Sequence, residues 1–138
     1  MSNVERADRL GNIRAVLFLA MAGLLVLNLA ISINEFDRPA RFGAWTFMVG
    51  IMAMNLTGIG GCFKNPGLRR LLNDEVVQMH RRIAVTTGFW VGLVSMIAAL
   101  FATIADPSLA IPALATAITA TLTLALLHFA VLELRAAY

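Results

Sequence analysis

From Ile83 to Leu132 the chain reads IAVTTGFWVGLVSMIAALFATIA, then Asp106, then PSLAIPALATAITATLTLALLHFAVL. One charged residue, Asp106, divides two long uncharged runs. A hydrocarbon layer of about 30 Å is crossed by roughly 20 apolar residues in a helix. Both runs meet that length. They are continuous rather than alternating, so they do not have the pattern of a membrane β-barrel. Two further uncharged stretches, Ala15–Ile33 and Phe42–Phe63, precede them. In lipid the backbone must satisfy its own hydrogen bonds, and helices do so within each segment. The expectation is an all-α, integral membrane four-helix bundle forming one domain over residues 1–138. Its spans fall at about 15–33, 42–63, 83–105 and 111–132.

Composition agrees. Of 138 residues, 59% are hydrophobic and 14% are charged, with a formal net charge of +3. Soluble domains carry about a quarter charged residues. The balance excludes a disordered chain, a basic nucleic-acid-binding domain and an ordinary soluble enzyme. One cysteine, Cys62, excludes a disulfide framework and a paired-thiol centre. The first run has 19 residues. That is longer than the 7–15 or so of a signal-peptide core, so it reads as a retained span.

Lys and Arg set the orientation. Arg6, Arg9, Arg14, Lys64, Arg69, Arg70, Arg81, Arg82 and Arg135 fall on one side, against Arg38 and Arg41 on the other. Both termini and the 64–82 loop are therefore expected in the cytoplasm, with short outer connections near 34–41 and 106–111. The expected location is a bacterial cytoplasmic (inner) membrane.

The 64–82 loop holds the most varied sequence. Asn65 and Pro66 suit a helix start, and Leu68, Leu71 and Leu72 lie opposite Arg69 and Arg70. This predicts a short interfacial helix at the headgroups. Asn73 is a second candidate cap. Asp74 and Glu75 follow it, where negative charge suits the helix dipole. A helix from Asp74 to Ala105 would project about two turns beyond the membrane. On that stalk Val76, Met79 and Ile83 form an apolar stripe. Asp74, Glu75, Arg81 and Arg82 are the candidate interaction residues, with the N-terminal tail or a partner as the covering surface.

The same segment, DEVVQMHRRIAVTTGFW, resembles a motif of small bacterial and archaeal four-helix membrane proteins of unknown function. In that motif an Asp-Glu pair opens the third helix, followed by an alanine and then Phe-Trp. Here these are Asp74, Glu75, Ala84, Phe89 and Trp90. The resemblance implies an integral membrane protein and assigns no chemistry.

Within the spans, Gly88 and Gly92 form a small-residue pair that lets helices approach closely. Ala113, Ala117, Thr121 and Ala125 recur every four positions on the fourth span, its expected packing face. Asn28 and Asn55 are the deepest polar residues and are expected to hydrogen-bond between helices. Thr116 and Thr119 match the depth of Asn28, and Thr123 and Ser95 that of Asn55. His128 lies near the inner border and is expected to take a carbonyl or threonine partner. His80 lies just outside the third span. The two histidines differ by roughly 10 Å in depth along their helices, so a bis-histidine haem is not expected. Trp45 and Trp90 are expected as interfacial anchors.

No catalytic, cofactor or metal site is expected. The favoured function is a non-enzymatic accessory or regulatory subunit, or a self-associating scaffold, acting through its cytoplasmic loop. Its expected partners are the lipid bilayer and either a homo-oligomer mate or another membrane subunit, with no nucleic acid. The alternative is a small oligomeric transporter or channel, with a polar path along the fourth helix.

Overall fold

The computed structural model describes residues 3–36, 38–58 and 75–136, with side chains from residue 11 onward. Four α-helices carry the described chain: α1 (Asn3–Ser32), α2 (Pro39–Thr57), α3 (Glu75–Ala105) and α4 (Ala110–Ala136). Short 3-10 turns cover Ile33–Glu35 and Pro107–Leu109. The interfacial helix expected after Asn65, the Asn73 cap, Asp74 and Cys62 lie outside the described residues.

Each described boundary has a local cause. Pro39 opens α2, where its missing N–H is no loss. Gly58 ends it with φ 80°, and its N–H donates to the Asn55 carbonyl at 3.2 Å. A left-handed backbone favours glycine there. Between α3 and α4 the Asp106 carboxylate accepts from the Ser108 N–H at 2.9 Å, and Pro107 follows the cap. On the same side of the bundle Glu35 pairs with Arg41 at 3.0 Å and Arg38 at 3.7 Å. Arg38 and Arg41 thus share one local carboxylate.

The N-terminal segment expected as a tail is a direct continuation of α1, helical from Asn3. Helix α4 is the central element and packs on α3 and α1, while α2 closes one side more loosely. Neighbours α3 and α4 run antiparallel, with His80 level with Glu133 and Gly92 level with Thr121. Helices α1 and α4 are also antiparallel. Phe18 meets Phe129 with ring centroids 4.5 Å apart, and Phe36 shares a cluster with Trp45 and Ala115 at the far end. Phe129, Leu25 and Leu126 fill the centre as its largest fully buried side chains.

The outer surfaces are apolar. Val94, Phe101 and Ile104 on α3 and Val16 and Leu27 on α1 are all largely exposed. Three segments, Gly11–Glu35, Glu75–Ala105 and Pro107–Ala136, are long and apolar enough to cross a membrane by length and composition. Only 11% of the apolar window of Glu75–Ala105 is buried inside the bundle. So much exposed hydrocarbon would drive aggregation in water and is at home in lipid. The molecule is an all-α membrane protein.

Candidate functional site

The polar chemistry gathers where α1, α3 and α4 meet, at the end of the bundle nearest the start of α3. His80 and Glu133 stand on facing helices, 26 residues before Asp106 and 27 after it. An antiparallel hairpin of that symmetry places them at one level. His80 Nδ1 lies 2.9 Å from Glu133 Oε1, and both residues are buried. The other carboxylate oxygen, Glu133 Oε2, is 3.6 Å from Arg14 Nε on α1. A single carboxylate therefore ties three helices together. A buried charge is tolerated only when paired and hydrogen-bonded, and this one has both kinds of partner.

Arg81 completes the cluster. It is half-buried, senses both the Arg14 cation and the Glu133 anion, and lays its guanidinium over Gly58 at the end of α2. A guanidinium at a helix C-terminus suits the negative end of the dipole. A side chain on residue 58 would collide with it. Its Nε is buried with no hydrogen-bond partner among the described residues. Arg82, next in sequence, is exposed, as is Glu75.

About two turns further into α3, Thr87 Oγ1 lies 2.7 Å from His128 Nδ1. The two histidines thus have separate partners on separate levels. Beyond this the α3–α4 seam is close-packed. A Cβ on Gly88 would stand 3.0 Å from Ala125 Cβ, and one on Gly92 would stand 3.2 Å from Thr121 Cγ2 and Oγ1. The small-residue pair therefore faces α4 within the chain, and Ala117 and Ala125 of the small stripe are buried.

The two asparagines depart from the expected interhelical bonds. Asn55 is exposed and donates to the Ile51 carbonyl of its own helix at 2.9 Å. Met52 and Leu56 occupy the buried face of α2, which turns Asn55 away from the bundle. Asn28 is half-buried, and its Oδ1 finds no partner among the described residues. Thr119, at matching depth, instead accepts from Trp45 Nε1 at 3.3 Å. Trp45 is accordingly a buried residue, not an interfacial anchor, because its indole N–H has a partner inside the bundle. Trp90 is 60% exposed and stacks edge-on with Phe89.

The alternative reading needs a polar path along the threonine-rich α4. Thr116 donates to the Pro112 carbonyl, and Thr119 is taken by Trp45. Thr123 Oγ1 is buried without a partner among the described residues. Thr121 donates to the Ala117 carbonyl.

Among the described residues no group of three His, Cys, Asp or Glu side chains converges as a metal ion requires. Glu133 is inconspicuous in the sequence because it stands one residue past the fourth apolar run. Its distance from Asp106, matched against that of His80, is the signal that locates the pair. The arrangement can anchor helices and hold charge at a membrane border. No protein-family model matches the sequence, and neither a curated protein nor a solved structure matches it.

Proposed function

We propose that this is a non-enzymatic integral membrane protein, a four-helix bundle of the bacterial cytoplasmic membrane with both termini inside. It acts as an accessory or regulatory subunit or a self-associating scaffold through its cytoplasmic end. The observation that carries this reading is the Arg14–Glu133–His80 junction. It fixes three helices at one end of the bundle, and beside it Val76, Met79 and Ile83 form an exposed apolar stripe. A rigid platform carrying an uncovered stripe suits docking. The basic residues on that side support its placement at the inner surface. The resemblance around Asp74–Trp90 is in keeping with the same class.

The transporter alternative requires a wet path along α4. The hydroxyls of Thr116 and Thr121 closing on their own helix, and the tight Gly88–Ala125 and Gly92–Thr121 contacts, support a dry seam instead.

The test is affinity purification from native membranes in mild detergent, comparing the wild type with Val76→Ser/Met79→Ser. An associated subunit or second copy recovered with the wild type, and reduced at least fivefold with the variant, supports the proposal. A wild-type chain that purifies alone, and that carries ions or small solutes across liposomes, overturns it in favour of transport.

A further inference from the structure

We propose that the crevice between α2 and α3 binds one anionic phospholipid, its phosphate on Arg81 and one acyl chain along the crevice. This stands independently of the docking function proposed above.

The crevice has a volume of about 410 Å³. Ala53, Leu56 and Thr57 of α2 form one wall, and Val85, Phe89 and Leu93 of α3 the other, with α4 as floor. Two lining residues carry hydroxyls, and both are turned inward to their own helices. Thr57 donates to the Ala53 carbonyl at 2.9 Å, and Thr121 to the Ala117 carbonyl at 2.7 Å. The walls thus offer hydrocarbon and no free donor. That chemistry fits an acyl chain and disfavours a polar solute.

One end of the crevice differs. Val85 lies one turn from Arg81, and Thr57 precedes Gly58, against which the Arg81 guanidinium rests. Arg81 therefore stands at the mouth. Its Nε is buried and has no hydrogen-bond partner among the described residues. Burial and the Arg14 cation both work against its charge, while Glu133, already committed to His80 and Arg14, attracts it. A buried donor on a cation calls for an anion, and a planar guanidinium matches a phosphate. A phospholipid has the same order of parts, phosphate at the border and hydrocarbon below it. A helix from a second copy would fill the crevice but bring no phosphate to Arg81.

The test uses the full-length protein in mild detergent, with lipid retention read by native mass spectrometry and thermal unfolding. Phosphatidylglycerol should be retained at one molecule per chain and raise Tm. Dioleoylglycerol, which lacks the phosphate, and inorganic phosphate, which lacks the chains, should do neither. Arg81→Gln should lower retention at least fivefold, with partial recovery in Arg81→Lys. Ala53→Phe, which places a ring in the crevice, should lower it similarly. Leu24→Phe, on the exposed face of α1, should leave it unchanged. If Arg81→Gln does not fold, the wild type decides with phosphatidylglycerol bearing a photoreactive acyl chain. Labelling of Leu93 or Met96 above the level at Leu24 supports the site, and equal labelling overturns it. Retention unaffected by Ala53→Phe, stabilisation by inorganic phosphate alone, or protection of the crevice by dimer formation in lipid-free detergent would each overturn the proposal.

Discussion

The imidazole of His80 and the carboxylate of Glu133 lie 2.9 Å apart, buried between α3 and α4, with Arg14 of α1 on the carboxylate's other oxygen. Glu133 is the shared element. Loss of either partner leaves a buried polar group facing hydrocarbon, whereas loss of both removes that mismatch, although Arg14 then loses this carboxylate. Pair energies in such sites are measured by non-additivity rather than by single substitutions.

Glu133→Leu should destabilise the bundle by about 3 kcal/mol or more, the usual cost of breaking a buried pair. His80→Leu should cost about 1–3 kcal/mol, the cost of leaving a buried hydrogen-bonding group without its partner. The His80→Leu/Glu133→Leu double variant should be less destabilised than the sum of the single variants. Reversible unfolding in mixed micelles measures the cycle. Additive effects would mean that the two side chains do not act as a unit.

Gly88→Ala should destabilise by about 1–3 kcal/mol, the range for overpacking a filled contact. Its new Cβ would stand 3.0 Å from Ala125 Cβ. The compensating Gly88→Ala/Ala125→Gly pair should recover most of the loss. The same unfolding assay reads both. Full stability of Gly88→Ala would show that α3 and α4 are not in close contact there.

Asp106 should titrate below the ordinary aspartate range. The Ser108 hydroxyl, and then its backbone N–H, stabilise the ionised carboxylate. The folded value is depressed, so the capped turn is fully stabilised above the unfolded value. That contribution is lost as pH falls through the depressed one. Carboxyl carbon NMR in micelles gives the midpoint, and Ser108→Ala should move it upward. An unchanged midpoint in that variant would remove the stated cause.

The helical class was legible because the length of an apolar run has one dominant physical cause, the thickness of hydrocarbon it crosses. Helix rotation was not. A span that is apolar on all sides does not announce which face is inside. Asn55 therefore looked like an interhelical donor, although Met52 and Leu56 claim the buried face of α2. Trp45 looked interfacial for the same reason. Its depth along the helix was readable, but its direction toward Thr119 was not. Glu133 was not legible, because a charge at the end of a hydrophobic run ordinarily sits at the headgroups. Only the register of the α3–α4 hairpin reveals His80 opposite it. Gly88 and Gly92 were the more legible pair, since absent side chains on one face mark a close approach whichever helix supplies the partner.

The central proposal, that the end of the bundle holding the Arg14–Glu133–His80 junction is its working surface, is tested most directly by site-specific photo-crosslinking in native membranes. A photoreactive residue replaces Met79, which is 53% exposed beside the ionic junction, or Phe101, which is 69% exposed near the opposite end of α3. The account predicts a discrete protein adduct from position 79, a second copy or another subunit, with lipid labelling predominant at position 101. Protein adducts confined to position 101, with position 79 reacting only with water or lipid, would contradict it.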